Sequence, residues 1–354
     1  MTVAESAPPG RLRSEGQLRR LASRPEFGAL MGALLVFLVF SILGGGVLDG
    51  TFPSKFLSSA GIAGWLQIAA QIGILGSTVT LLMIAGEFDL SVGATIGAAG
   101  MFLAMLMGQF GISPVIAVPT TFAFALGIGA VNGWLVIKTR LPSFIVTLGT
   151  QLVLRGATIA LTRAITAQTI VNVPADAKAN PILQIFTANV VSIGQARFNA
   201  ELLWWIAVVV VASWILTRTK FGNWIYAVGG SAQAARYVGV PVNRVKIILF
   251  MATAASAALY ACIVVPSVGS ANVVSGTNKE FEAIITAVVG GTLLTGGYGS
   301  VIGSALGAFI LGATNLGIFF AGINTDWYNV VLGSLLLIAV LVNTLVLRRA
   351  SGAR

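Results

Sequence analysis

The sequence predicts an all-α, polytopic helical membrane protein of about ten transmembrane helices with an internal repeat. Three observations carry that reading. First, 56% of the 354 residues are hydrophobic and 9% are charged, whereas a soluble domain carries about 25% charged residues. So much apolar surface finds a better solvent in lipid than in water. Second, the apolar residues gather into runs at 27–48, 56–84, 91–110, 114–137, 143–163, 201–217, 247–267, 283–295, 300–320 and 327–347. Most are long enough to cross ~30 Å of hydrocarbon at ~1.5 Å per residue. Third, the formal net charge of +10 is spread over short loops instead of one basic face, which argues against a nucleic-acid partner.

The positions of those basic residues set an orientation. With a cytoplasmic N-terminus and an even number of spans, Lys138, Arg140, Arg218, Lys220, Arg236, Arg244, Lys246, Arg348, Arg349 and Arg354 fall on the cytoplasmic side. Lys55, Lys178 and Arg197 fall on the other. Residues 1–26 are polar, with Arg11, Arg13, Arg19, Arg20, Arg24 and Pro8, Pro9 and Pro25, and read as a disordered cytoplasmic leader. The first run is followed by Asp49 and Pro53, not by a small-residue cleavage pattern, so it reads as a retained helix and not a signal peptide. Residues 27–347 form one membrane domain and 348–354 a cytoplasmic tail. Within the domain, loop 164–200, with Asn172, Pro174, Asp176 and Pro181, is expected to fold into a compact extracytoplasmic cap. Loop 218–246 faces the cytoplasm. Arg155 lies deep in the fifth run and requires a partner that the sequence does not name.

The residue inventory excludes several chemistries. There is no histidine and one cysteine, Cys262, inside an apolar run. That removes an intrachain disulfide, a Cys/His metal site and Ser-His-Asp catalysis; Cys262 reads as a small packing residue, and no metal site is expected.

Glycines punctuate the chain at small-xxx-small spacing, as at Gly93/Gly97 and Gly303/Gly307, which lets helix backbones approach closely in lipid. The segment Gly86-Glu87-Phe88-Asp89-Leu90-Ser91-Val92-Gly93 is echoed by Gly296-Gly297-Tyr298-Gly299-Ser300-Val301-Ile302-Gly303, as a duplicated transporter half would leave it. Glu87 and Asp89 sit where one span turns into the next; Asp89 with Ser91 fits the cap of the following helix, and the pair also offers a hook for proton coupling. The cytoplasmic segment Gly229–Pro241 reads as a short helix, capped by Ser231 and stopped by Gly239 and Pro241. So short a helix is marginal in water, so its small and apolar face, with Tyr237 and Val238, requires a partner surface.

Along nearly its whole length after residue 26, the chain resembles the ribose/xylose/arabinose-type permeases of bacterial ABC importers. The resemblance rests on Gly86–Gly93, on Gly229–Pro241 with the following Asn243-Arg244-Val245-Lys246, and on Val289-Gly290-Gly291-Thr292-Leu293-Leu294-Thr295-Gly296-Gly297-Tyr298-Gly299-Ser300. Glu87 and Phe88 stand where the family more often has Gly and Ile. The resemblance implies a multi-pass subunit of the bacterial inner membrane, paired with a second permease copy, an ABC ATPase and an extracytoplasmic solute-binding protein. Its cargo would be a monosaccharide. No GxxxxGK[S/T] segment occurs, so ATP would be bound by the partner subunit and the chain itself needs no cofactor and is no enzyme. Under that resemblance Ser231, Ala232, Gln233, Ala235, Arg236, Tyr237 and Gly239 are the coupling residues. Candidates for the sugar path are Trp65, Gln67, Gln71, Glu87, Asp89, Asn132, Phe281 and Asn315, polar or aromatic side chains set among apolar spans. Competing readings are a permease for branched-chain amino acids or another small polar solute, an ion-coupled transporter using Glu87 and Asp89, and a membrane-embedded enzyme.

Overall fold

A computed structural model of the chain describes residues 25–44, 54–194 and 196–350; all but the end of the expected N-terminal leader, the end of the first apolar run (45–48) and residues 351–354 of the tail lie outside them. The helices are α1 (Pro25–Leu43), α2 (Ser59–Ile84), α3 (Val92–Gly108), α4 (Pro114–Thr139) and α5 (Ser143–Thr166), then short α6 (Ala175–Lys178) and α7 (Pro181–Thr187). They continue as α8 (Glu201–Arg218), α9 (Lys220–Gly230), α10 (Ala232–Tyr237), α11 (Val242–Val268), α12 (Lys279–Val289), α13 (Val301–Phe320) and α14 (Trp327–Ala350). Among the described residues, eight of these are long and apolar enough to cross a bilayer. With α3 and α12, which are shorter, they account for the ten expected spans.

The layering follows from composition. The spans with small residues lie inside: 78% of the α2 span is buried and 67% of α11 and α13, against 6% for α5 and α14. Small side chains bring backbones together, so dispersion contacts between helices replace the hydrophobic drive that lipid cannot supply. Gly303 and Gly307 of α13 lie on the last turn of α12, where β-carbons would overlap the carbonyls of Gly290 and Thr286. The large aliphatic side chains of α5 and α14, such as Leu152, Val153, Leu337 and Leu341, point outward.

Helix ends are set by local chemistry. Ser58 caps α2 by accepting from the Gly61 N–H at 3.0 Å, and Asn180 caps α7 by accepting from Ile182 at 3.1 Å, with Pro181 at the first helical position. One boundary differs from expectation. The eighth span was expected at 283–295, but α12 runs from Lys279 to Val289. Its first turn carries Lys279, Glu280 and Glu282, which hydropathy reads as loop, while Gly290–Ser300 is glycine-rich and cannot hold a helix against the cost of its backbone freedom.

Loop 164–200 folds into short helices and strands. Strand β1 (Ile170–Asn172) pairs antiparallel with β4 (Ser270–Asn272), and β2 (Asn189–Ile193) pairs with β3 (Ala196–Asn199). Leu183 and Phe186 of α7 are buried beneath it; Phe186 stacks on Trp204, whose Nε1 donates to the Ile185 carbonyl at 3.1 Å. Cys262 is fully buried. Replacing Gly303 by Leu is expected to force α12 and α13 apart and cost about 1–3 kcal/mol, measurable as a lower unfolding midpoint of the detergent-purified protein.

Candidate functional site

Three glycine-bearing segments meet at one end of the bundle. Ile84, at the end of α2, accepts a hydrogen bond from the Gly297 N–H at 2.8 Å. Gly86 follows with φ +81°, and a β-carbon on Gly296 would touch its Cα. Gly229, in the last turn of α9, fits into the same junction: a β-carbon there would overlap the Ile84 carbonyl and crowd the Gly297 nitrogen. Tyr226 reinforces the contact by donating to the Gly299 carbonyl at 2.9 Å. The two segments that echo each other in sequence therefore lie face to face, with the end of α9 wedged against both.

Helix α10 leaves this junction directly. Ser231 caps it by accepting from the Ala234 N–H at 3.2 Å, and Gly239, at φ +83°, ends it. Ala235 is buried against the body, while Tyr237 and Val238 are 81% and 79% exposed. Gln233 donates to the Tyr237 hydroxyl at 3.1 Å, and Arg236 donates to Asn243 Oδ1 at 3.0 Å, fastening α10 to the start of α11. One turn on, Lys246 forms an ion pair with Glu87 in the α2–α3 turn.

The same turn is held from every side. Asp89 Oδ1 accepts from the Ser91 N–H at 2.9 Å and the Ser91 hydroxyl at 2.6 Å, and Oδ2 accepts from Thr253 of α11 at 2.6 Å. Asn132 of α4 donates to Ser91 Oγ at 2.8 Å. From α5, the hydroxyls of Ser143 and Thr147 accept from the Phe88 and Leu90 N–H groups at 2.9 and 3.0 Å. Asp89 is almost fully buried, and such a carboxylate is tolerable because three donors replace its water.

A second polar cluster lies deeper. After β4 the chain turns back into the bundle, Gly276 packs on Gly93, and α12 begins about 15 Å from the junction end of the bundle. Arg155, 12 residues into α5, lies about 18 Å along that helix. Its Nη1 donates to Thr277 Oγ1 at 2.8 Å and its Nη2 lies 4.0 Å from Glu280 Oε2. Gln151 donates to Glu280 Oε1 at 2.7 Å, and Lys279 to Glu282 Oε2 at 2.6 Å. Gly93 makes room for the Glu280 carboxylate, which a β-carbon there would strike. The partners that Arg155 required are thus Thr277, just before α12, and Glu280 in its first turn. Phe281, between the two glutamates, is half exposed.

The remaining path candidates are scattered. Trp65 is buried among Phe37, Phe56 and Phe309, and its Nε1 donates to the Phe56 carbonyl at 3.3 Å. Gln71 donates to Glu201 Oε2 at 2.9 Å, and Gln67 also reaches Glu201, bonding α2 to α8. Asn315 faces the Tyr328 hydroxyl. Glu87, Asp89 and Asn132 meet at the junction; Phe281 belongs to the deeper cluster.

A family model described as "Branched-chain amino acid transport system / permease component" matches residues 61–340. The chain belongs to this permease family. The inner membrane ABC transporter permease protein YjfF of Escherichia coli K12 is 32% identical over 82% of this chain and 85% of its own length. The fructose import permease protein FrcC of Rhizobium meliloti is 33% identical over 87% of this chain and 84% of its own. The ribose import permease protein RbsC of Escherichia coli K12 is 32% identical over 83% and 88%. No solved structure matches the chain.

Sequence reasoning missed Gln151, Thr277, Glu280 and Glu282 of this permease. The signal was present: two glutamates just after Asn278 mark a first helical turn, where the dipole favours acids. Replacing Asp89 by Ala is expected to strand the Ser91 and Thr253 donors and cost roughly 1–3 kcal/mol, read as a lower thermal midpoint in detergent; Asp89→Asn, which keeps one acceptor oxygen, is expected to lose less.

Proposed function

We propose that this permease is the membrane subunit of an ATP-driven importer that passes a monosaccharide, working as a pair of copies with a separate ATPase and an extracytoplasmic solute-binding protein. The observation that carries the coupling is α10, a six-residue helix with a bare Tyr237-Val238 tip, seated where three segments of the bundle meet. A short helix with exposed apolar side chains requires a covering partner, and the end of α9 that leads into it, packed through Gly229 and Gly230 on Ile84, Gly86 and Gly297, links that partner to both echoed segments. No P-loop exists in the chain to bind ATP phosphates, so the ATPase belongs to that partner.

The family description names branched-chain amino acids, but the relatives given above are named for fructose and ribose import, which favours sugar as the cargo. The break before α12 supplies a path element of suitable chemistry: Gln151, Arg155, Thr277 and Glu280 offer donors and acceptors inside the bundle, and Phe281 offers an apolar ring face. Arg140, Arg236 and Lys246 line one pocket, so these basic residues share an end of the bundle, which the positive-inside rule assigns to the cytoplasm together with α10. Glu87 and Asp89 are occupied by Lys246, Ser91 and Thr253, which leaves an ion-coupled mechanism without a free carboxylate at that turn.

In cells, uptake is expected to stop when ATP is depleted and to persist when an uncoupler collapses the proton gradient at constant ATP; the reverse pattern would overturn the proposal. Arg236→Glu is expected to lower uptake at least about tenfold with the permease still in the membrane, as shown by quantitative blotting. Glu280→Ala is expected to reduce uptake by a similar factor while ATP hydrolysis by the assembled importer continues.

A further inference from the structure

A groove of about 830 Å³ runs between α4 and α5. Its walls are Phe124, Ile128, Val131 and Leu135 from α4 and Ile145 and Val153 from α5. Two glycines form its floor, Gly127 and Gly149, and an added β-carbon at either would meet nothing within 4 Å. They contrast with Gly129 and Gly133 of the same helix, which press on the backbone of α11 at Phe250 and Ile247. The first pair is therefore not needed to pack the helices; what the missing side chains leave is an open channel.

The groove ends at a second pocket of about 500 Å³, and Leu141 belongs to both. The second pocket is polar and basic. Arg140, Arg236 and Lys246 line it with one carboxylate, Glu87, which is engaged by Lys246. Arg236 is held by the neutral Asn243, and no hydrogen bond or ion pair to another described residue engages the Arg140 side chain, whose backbone N–H alone is bonded, to the Val136 carbonyl. The pocket therefore carries excess positive charge, with one guanidinium uncommitted.

An apolar channel in the membrane, opening at its end into a cationic pocket, has the shape and charge of an amphiphile with one anionic end. Along α5, residues 145–154 span about 14 Å, close to the depth of one leaflet of a ~30 Å hydrocarbon core. We propose that this paired groove and pocket bind an anionic phospholipid, with an acyl chain over Gly127 and Gly149 and the phosphate between Arg140 and Arg236. Basic pockets between transmembrane helices recognise anionic headgroups through charge-assisted hydrogen bonds, and the apolar channel adds affinity for each buried methylene. Because Arg236 belongs to α10 and Glu87 to the α2–α3 turn, the headgroup would touch both sides of the contact between that helix and the bundle.

The test is native mass spectrometry of the full-length protein, released from mixed micelles of equimolar phosphatidylglycerol and phosphatidylcholine. The expected result is retention of phosphatidylglycerol about tenfold above phosphatidylcholine. Arg140→Asn, which tolerates the positive φ at this residue, is expected to reduce that ratio severalfold. Gly127→Leu combined with Gly149→Leu is expected to lower retention of both lipids, with the Ala pair giving a smaller loss in the same direction. Equal retention of the two lipids, or ratios unchanged in Arg140→Asn, would overturn the proposal. So would displacement of phosphatidylglycerol by millimolar inorganic phosphate, which would mark a simple anion site. A shift of oligomeric state in the leucine pair, without loss of lipid, would make the groove a subunit interface and also overturn it.

Discussion

Everything in this bundle answers to one constraint: a polar group in hydrocarbon has no water, so it must be satisfied by the protein. The break before α12 shows the constraint at its most demanding. A helix that begins inside the bundle exposes unpaired N–H groups, and its first turn also carries three charged side chains. The neighbours answer it. Arg155 and Gln151 come from α5, Gly276 lies against Gly93, and the bare α-carbon of Gly93 leaves space for Glu280. Remove Arg155 and the buried Glu280 carboxylate loses its neighbouring cation.

The same constraint explains why glycines and hydroxyls, not large apolar residues, occupy the functional end. Turn 85–91 carries backbone N–H groups and two acids into a crowded interior, and it is met by Ser143 and Thr147 of α5, Thr253 and Lys246 of α11 and Asn132 of α4. Close approach of the backbone at Gly229, Gly86 and Gly296 then becomes geometrically available. Polar satisfaction and close packing cooperate there, because hydrogen bonds across a tight contact are short and shielded from competition.

The large-scale fold was legible because lipid imposes a simple code. Long apolar runs became helices, polar punctuation became turns, and Ser231 with Gly239 bracketed α10 closely enough to place it. What stayed hidden was pairing across the sequence. Gln67 and Gln71 stood out as polar groups among apolar spans, but that they bond α2 to α8 depends on a glutamate 130 residues away from Gln71, which no local pattern announces. The packing of Trp65 among Phe37, Phe56 and Phe309 was likewise not legible from its neighbours in sequence. The α12 boundary was missed for a different reason: charged residues were read as marking water, whereas here they mark a helix start inside the bundle.

One consequence lies in how α10 is fastened. Its entry rests on Ile84 and Gly297 through Gly229, and its exit runs through Asn243 and Lys246 to Glu87. Both attachments reach the same short stretch, residues 84–87. A beam fixed at two points cannot pivot about either, so a load applied at its tip is delivered as displacement of that whole stretch. The bundle would therefore answer a push at Tyr237 and Val238 by tilting its inner helices as a block, with little of the stroke dissipated in local bending.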